Sequence, residues 1–270
     1  RAATLMSALL RHQSSEGWFL EYEGADPGYQ TLCLHHLAQV YRLRPTDELY
    51  DALHRAIQFI SWFVHPDGTF GGTYGSRRTA VYYPGGVAEV SSLFPIALSI
   101  THFMVHSMAK GHTVNITDMD MGNLAPLLSN YIRLLDTLPP ATNEPLPPLP
   151  WEHEEMDSDF KEAGLYIRGK AKYYAIIGAG NGGVLKVFDK EKEAIVWDDG
   201  GYAGAMENNV YVTTQVTDLK RKCFADKEQI RIEAPFYVML RSTLTPLKFL
   251  LLRLLNVTIM RNVSMGNSIK

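Results

Sequence analysis

HPDGTFGGTYGSRRTAVYYPGG, residues 65 to 86, is the stretch on which the fold of this chain depends. It follows a segment of clear helical periodicity, yet it contains six glycines, three tyrosines and the adjacent pair Arg77 and Arg78. Glycines at this density favour tight turns over a regular helix or strand. We therefore predict a long loop that joins helices and carries aromatic and basic side chains.

Two amphipathic helices are predicted on the N-terminal side of this loop. Residues 26 to 43, DPGYQTLCLHHLAQVYRL, start with Asp26 as the N-cap and Pro27 at the first helical position. Residues 46 to 64 start with Thr46 as the N-cap and repeat apolar residues every three or four positions. The short turn between them predicts a helical hairpin. The apolar stripe predicted on the first helix comprises Tyr29, Leu32, Cys33, His36, Leu37, Val40 and Tyr41.

The segments after the loop repeat this helical pattern. Apolar helical runs are predicted at about 87 to 109 and 118 to 136, so that paired helices alternate with glycine-rich loops. Stacked α-hairpins of this kind are typical of an α/α toroid or solenoid. We predict an α/α toroid over residues 1 to 137. It is expected to be incomplete, because the chain opens inside what reads as a helix, RAATLMSALLRH.

A proline-rich segment separates this region from a second predicted domain. Residues 138 to 150 hold six prolines, which favour an extended conformation, and we place the linker at 138 to 157. Beyond it, short β-branched and aromatic runs alternate with turn residues. Residues 158 to 270 are therefore predicted to form an antiparallel β-sandwich. The fold class predicted for the chain is an α+β multidomain protein.

The composition limits the classes of partner. The 270 residues are 46% apolar and 20% charged with a formal net charge of −3, which gives no basic field for nucleic acid. The most apolar windows, 90 to 108 and 235 to 260, are interrupted by Pro, His, Lys or Arg, so no transmembrane segment is predicted. Two distant cysteines, Cys33 and Cys223, do not suggest a disulfide framework. The oligomeric state is left open.

Two short motifs suggest ligands but have simpler interpretations. Gly178, Gly180 and Gly183 have the G-x-G-x-x-G spacing of a dinucleotide site, whose chemistry requires a helix immediately afterwards. The residues that follow are strand-like, so we predict a hairpin with Asn181 in its turn and no cofactor. WEHEEMDSDF, residues 151 to 160, is interpreted as a solvated charged loop, and no metal site is predicted.

The pieces EGWFLEYEGADPGYQ (16 to 30) and HPDGTFGGTYGSR (65 to 77), with the order of parts described above, resemble the heparinase II/III-like group of polysaccharide lyases and its bacterial relatives. The resemblance covers most of the chain as architecture and these short pieces as motif. It implies a toroid whose cleft faces a β-sandwich, with an acidic polysaccharide or oligosaccharide bound between them. The bacterial cytoplasm and the periplasm both stay open as locations.

The loop residues suit the chemistry of such a lyase. Elimination across a uronate needs a base, a donor that neutralises the carboxylate, and an acid for the leaving oxygen. An arginine within about 4–6 Å lowers the pKa of a tyrosine by about 1–3 units, which brings the phenolate into a working range. The candidate catalytic residues are therefore Tyr74, Tyr82, Tyr83 and His65.

Other residues are candidates for substrate binding. Arg77 and Arg78 offer planar forks that match carboxylates, and further candidates lie at or near the start of the helix at 26 to 43. The full set of predicted binding residues is Arg77, Arg78, Asp26, Tyr29, Gln30 and His36. Several candidates have a structural alternative. Tyr29 and His36 could be core residues, the tyrosines of the loop could cover helix ends, and the two arginines could cap helix C-termini or pair with Glu89.

One departure from the family pattern separates two hypotheses. Active members carry an H-x-H-x-D-type motif near the start of the β domain, whereas no histidine follows His153 in this chain. The first hypothesis is a lyase-like protein that binds and cleaves an acidic glycan by β-elimination. The second is a non-catalytic carbohydrate-binding or polysaccharide-assembly protein that has lost the catalytic histidine.

Overall fold

The structure is a computed structural model that describes residues 2–138, 145–207, 210–218, 220–226, 228–239 and 245–255. Helices occupy most of the first half of these residues. Their bounds are α1 Ala2–Leu10, α2 Pro27–Leu43, α3 Asp47–Ser61, α4 Pro84–Glu89, α5 Pro95–Lys110, α6 Met121–Thr137 and α7 Pro246–Leu255. No helix in the described ranges has the length and apolar character required to cross a bilayer.

Strands follow in three antiparallel sheets. The five-stranded sheet has the order β1-β2-β3-β4-β5, the three-stranded sheet β10-β7-β6, and the two-stranded sheet β8-β9. Their bounds are β1 Met156–Phe160, β2 Leu165–Gly169, β3 Tyr173–Gly178, β4 Val184–Asp189, β5 Ala194–Asp199, β6 Ala203–Ala205, β7 Tyr211–Thr213, β8 Lys222–Ala225, β9 Ile230–Glu233 and β10 Tyr237–Val238.

The helix start signals are confirmed. The Asp26 carboxylate accepts a hydrogen bond from the Tyr29 amide, and the Thr46 hydroxyl accepts one from the Leu49 amide. Both bonds satisfy amides that a helix leaves without an internal partner. The apolar positions of α3 at spacings of three and four are buried, as their periodicity predicts.

The predicted stripe on α2 is only partly correct. Leu37 is buried, but His36 is exposed and the other stripe members are half-buried. The face that α2 buries most deeply includes the polar residues Gln30, Thr31 and His35. Sequence periodicity misses this face because a polar side chain with hydrogen-bond partners can be buried at little cost.

The loop between α3 and α4 packs the helices onto the five-stranded sheet. Tyr174 of β3 donates a hydrogen bond from its hydroxyl to the Trp62 carbonyl, 2.7 Å away. Phe188 of β4 stacks on the His65 ring at a centroid distance of 4.6 Å. Asn181, which is buried, donates to the carbonyl oxygens of Tyr74 at 2.9 Å and Gly75 at 2.8 Å. One apolar cluster consequently contains residues from both halves of the chain.

The toroid and sandwich predictions are wrong. The helices of the described ranges do not close a ring: α4 is one short helix that contacts α2, α5 and α6, and the run predicted at 87 to 109 is interrupted before Pro95, which starts α5. The five-stranded sheet buries its inner residues, such as Tyr174 and Phe188, against the helical half instead of against a second sheet. Within the described residues the other two sheets have three and two strands and form no second sandwich layer.

Smaller predictions have mixed outcomes. The glycine-rich hairpin is confirmed, because β3 and β4 pair antiparallel around a turn in which Gly182 has a φ of +81°. The charged-loop prediction is wrong for residues 156 to 160, which form β1. Within the linker predicted at 138 to 157, residues 139 to 144 lie outside the described residues. Residues 256 to 270 of the predicted sandwich lie outside them as well.

Candidate functional site

Two of the predicted catalytic residues, His65 and Tyr74, lie together in the core. Both side chains are buried, and the His65 Nε2 atom is 2.7 Å from the Tyr74 hydroxyl. The His65 Nδ1 atom is 2.8 Å from the Thr69 hydroxyl, which itself donates to the Asp67 carboxylate at 2.7 Å. The Thr69 hydroxyl donates its proton to Asp67, so its oxygen accepts a hydrogen bond from the His65 Nδ1–H group. In this tautomer the His65 Nε2 atom has no proton and accepts a hydrogen bond from the Tyr74 hydroxyl.

The environment of this pair opposes acid–base catalysis. Burial lowers the pKa of His65 well below its usual value, with a smaller contribution from the nearby Lys186 ammonium. Burial also raises the pKa of Tyr74 well above its usual value. Both groups are therefore neutral at pH 7, and neither is exposed to a substrate. Their geometry identifies them as a buried hydrogen-bonded support between the loop and the sheet.

Tyr82 and Tyr83 are buried at the start of α4. Tyr82 packs against Phe70 with ring centroids 5.1 Å apart. Burial raises the pKa of both tyrosines. The expectation that an arginine lowers the pKa of a loop tyrosine is therefore wrong for Tyr74, Tyr82 and Tyr83, because desolvation dominates at all three.

Asp26 is a buried hydrogen-bond acceptor for backbone amides and is not exposed to a ligand. Its side chain is buried and accepts hydrogen bonds from the backbone amides of Tyr29 at 3.0 Å, Arg77 at 2.9 Å and Thr79 at 3.3 Å. Burial raises its pKa, and the amide bonds act in the opposite direction. One carboxylate thereby caps α2 and ties the loop to the start of that helix.

Gln30 and His36 are not brought to a common site with the arginines. Gln30 is buried and bonds the backbone, accepting from the Phe19 amide at 3.0 Å and donating to the Gly17 carbonyl at 3.2 Å. His36 is exposed on α2, with its ring 5.3 Å from that of His35. We assign Gln30 a packing role. For His36, exposure to solvent is the one property that is compatible with ligand binding.

Arg77 lies at the surface between two aromatic rings. Its guanidinium carbon is 4.2 Å from the ring centroid of Tyr22 and 4.6 Å from that of Tyr29. Its Nη1 atom pairs with the Glu21 carboxylate at 3.0 Å. The two ring contacts and the Glu21 pair restrict the orientation of the guanidinium.

Arg78 lies beside Arg77 and reaches toward the three-stranded sheet. Its Nη2 atom donates to the Gln215 carbonyl at 2.7 Å, so its partner is a neutral group. Arg78 and Tyr22 each have a φ of +58°, which is unusual for residues other than glycine. Strained backbone of this kind is often retained where a side chain must be held for binding.

These residues surround an open concavity of about 420 Å³, which we call the Arg77 recess. It is lined by Tyr22, Glu23, Ser76, Arg77, Arg78 and Thr217. Its size is within the range of small-ligand sites, about 300–1,000 Å³. Of the ten predicted site residues, Arg77 and Arg78 line it. Tyr29 contacts Arg77 through its ring, and Asp26 accepts a hydrogen bond from the Arg77 amide.

Sequence reasoning missed several residues of this region. Tyr22 lies within the motif at 16 to 30, but nothing in the local pattern shows that its ring covers an arginine more than fifty positions away. Thr217 comes from the other half of the chain, and its hydroxyl donates to Asn181 at 3.0 Å. The position of Asn181 between two glycines could have indicated its hydrogen-bonding role, since asparagine in such a turn often bonds backbone groups.

Comparisons of the chain with protein-family models, with curated proteins and with solved structures found no match. The Arg77 recess is the feature of the described residues that bears on function.

Two tyrosine substitutions test whether the buried loop tyrosines are structural. We expect Tyr74→Phe to lower the free energy of unfolding by about 1 to 2 kcal/mol, because it leaves the buried His65 Nε2 without a donor. Tyr82→Phe is the matched control, since its hydroxyl is buried without a hydrogen-bond partner among the described residues. Its effect should lie within about 0.5 kcal/mol of zero. Urea unfolding of both variants measures these free energies. Equal losses of stability in the two variants would contradict the assignment of Tyr74 as a hydrogen-bonded structural residue.

Proposed function

We propose that the protein binds an acidic glycan in the Arg77 recess, without using the buried tyrosines as catalysts. The observation that carries the proposal is the pair of adjacent guanidinium groups at an open concavity, one of them in contact with two tyrosine rings. A uronate carboxylate is matched by the planar guanidinium fork, and charge-assisted bonds of this kind are the stronger ones.

The other groups in the recess suit the rest of a sugar. Tyr22 is 71% exposed, so part of its surface is free for a sugar ring even though Arg77 lies against it. Glu23 and Thr217 offer oxygen atoms at the same concavity that can bond sugar hydroxyl groups. The lining is mainly polar and charged, with one exposed aromatic ring, which suits a hydroxyl-rich and charged ligand better than an apolar one.

This proposal retains the binding function implied by the heparinase II/III-like resemblance and separates it from cleavage. Elimination would need a base within hydrogen-bond reach of the sugar, whereas His65, Tyr74 and Tyr82 are buried. The hypothesis of a non-catalytic carbohydrate-binding protein is therefore the one that the geometry favours.

Calorimetric titration with uronate oligosaccharides tests the proposal. We expect Arg78→Gln to weaken binding by about tenfold or more, because it removes a charged donor worth about 1.5–3 kcal/mol. Arg44→Gln is the control: it makes the same change at an exposed arginine at the other end of α2. Binding should also weaken as salt is raised, because the contacts are close to solvent.

The ligand controls make this experiment decisive. A neutral oligosaccharide of equal length should bind at least about tenfold more weakly than the uronate, since it lacks the carboxylate. The uronate reaction is also followed in the ultraviolet for the unsaturated product of elimination, and none is expected. Equal affinity of the wild type and Arg78→Gln contradicts the binding proposal, and appearance of the product contradicts the non-catalytic assignment.

A further inference from the structure

A second concavity, of about 690 Å³, is lined in part by Asp218, the residue after Thr217 of the Arg77 recess. We call it the Arg221 cavity. It is formed by the ends of β2 and β3 together with the hairpin of β8 and β9. The lining residues used below are Lys161, Tyr166, Arg221, Phe224 and Arg231.

Arg221 is the unusual residue of this cavity. One of its terminal nitrogens, Nη2, donates to the Val216 carbonyl. Its Nε and Nη1 atoms are buried and have no hydrogen-bond partner among the described residues. A guanidinium with unsatisfied donors is costly to bury, and an anion in the adjoining space would offset that cost.

The remaining charges of the cavity also suit an anion. Lys161 and Arg231 are exposed at its wall, and the Nη2 atom of Arg231 pairs with the Glu233 carboxylate at 3.2 Å. The two carboxylates that line it are already bonded: Asp218 accepts from the Lys220 amide and the Tyr237 hydroxyl, and Asp226 accepts from the amides of Glu228 and Gln229. These bonds lower the pKa of both aspartates. Both aspartates are therefore ionised, and the lining carries three cations, Lys161, Arg221 and Arg231, against these two carboxylates. The excess of one positive charge, together with the unsatisfied donors of Arg221, favours an anion.

Aromatic surface accompanies the charge. Phe224 is 59% exposed at the wall of the cavity, whereas Tyr166, which also lines it, is only 5% exposed. An exposed aromatic face next to a cationic group is the same combination as Tyr22 beside Arg77 in the recess. The two concavities therefore offer related chemistry to a ligand.

The two concavities also adjoin each other in the chain. Thr217 lines the Arg77 recess and Asp218 lines the Arg221 cavity, and consecutive Cα atoms are about 3.8 Å apart. This segment is held in place by the Thr217 bond to Asn181 and by the Asp218 amide, which donates to the Gly180 carbonyl at 2.8 Å. A chain of sugars lying across Thr217 and Asp218 would reach both sites.

We propose that the Arg221 cavity is a second subsite, which takes another negatively charged sugar of the same acidic glycan. This inference rests on the proposed function of the Arg77 recess. It adds a length requirement: a short uronate ligand fills one concavity, whereas a longer one fills both. The gain in affinity with length should then depend on the cations of the Arg221 cavity.

The experiment compares a uronate disaccharide with a uronate hexasaccharide by calorimetry. We expect the wild type to bind the hexasaccharide at least about tenfold more tightly than the disaccharide. The double variant Lys161→Gln/Arg231→Gln should lose most of that gain and keep the disaccharide affinity. Both side chains are exposed, so folding should be preserved. Lys172→Gln, at an exposed lysine outside the cavity lining, is the control and should keep the gain.

Arg221→Gln provides an independent test at the buried residue. It should lose the length gain as well, while thermal unfolding shows whether the fold is retained. Suppose that disaccharide binding requires Arg78 but the cavity variants still bind the hexasaccharide more tightly than the disaccharide, as the wild type does. That result overturns the second subsite alone. Absence of binding by both ligands overturns the second subsite together with the proposed function.

Discussion

Gly86→Ala is expected to destabilise the protein by about 4 kcal/mol or more, the range of the most damaging single substitutions. A Cβ atom at this position would lie 2.5 Å from the His35 Cα and 2.5 Å from the Leu34 carbonyl carbon. These are backbone atoms of α2, so no side-chain rotation relieves the overlap. The helices α2 and α4 would have to separate, which would open the core above the loop.

Gly111→Ala is the matched control for this substitution. Gly111 ends α5 with a φ of +73°, and a Cβ atom built there meets no atom within 4 Å. Alanine at this position bears only the strain of a left-handed conformation, about 1–2 kcal/mol. Urea unfolding of both variants gives the comparison. Similar losses at the two positions would show that the close approach of α4 to α2 is not a determinant of stability.

The second large effect is expected at Asp26. Asp26→Ala should lower the free energy of unfolding by about 2–3 kcal/mol, because the backbone amides of Tyr29, Arg77 and Thr79 lose their acceptor together. Relief of the buried charge offsets part of this loss, since burial already raises the Asp26 pKa. The variant should also weaken glycan binding, because the Arg77 amide would no longer be fixed to α2.

Thr46→Ala is the corresponding control in the neighbouring helix. Thr46 caps α3 by accepting one bond from the Leu49 amide, and among the described residues its side chain makes no hydrogen bond to the loop at 65 to 86. Its loss should cost about 1 kcal/mol, as for an ordinary N-cap. Chemical denaturation measures both, and a loss at Asp26 no larger than that at Thr46 would refute the role of Asp26 as a tie between helix and loop.

The arrangement divides the loop at 65 to 86 into two parts with different roles. His65, Tyr74 and Tyr82 face inward and join the helices to the five-stranded sheet. Arg77 and Arg78 face outward, where a charged ligand can reach them. The same glycines that let the loop turn sharply allow these adjacent segments to face opposite ways.

Local signals predicted the elements better than their assembly. The caps at Asp26 and Thr46, the helical period of α3 and the strand-like run after Gly183 are all properties of neighbouring residues, and each prediction was correct. The toroid prediction failed because pairing of helices along the chain does not specify a ring. Pro95 breaks the run from which part of that ring was expected.

The candidate site was only partly visible from the sequence. Arg77 and Arg78 were predicted as binding residues because a guanidinium fork matches a carboxylate. The burial of Tyr74 could not be inferred, because Tyr74 bonds His65, whose ring in turn stacks on the sheet residue Phe188. Burial reversed the expected direction of the tyrosine pKa, since the tertiary environment sets the solvation of each hydroxyl.

The sequence by itself determined where the chain turns, where α2 and α3 begin, and that guanidinium and phenol groups share one loop, because these depend on residue type and on spacings of a few positions. Only the tertiary structure decided which of those groups meet solvent. That depends on contacts between residues far apart in the chain, such as the Asp26 carboxylate with the Arg77 amide and Tyr22 with the Arg77 guanidinium. No local pattern encodes such distances, because they arise when the helices and the sheet pack together.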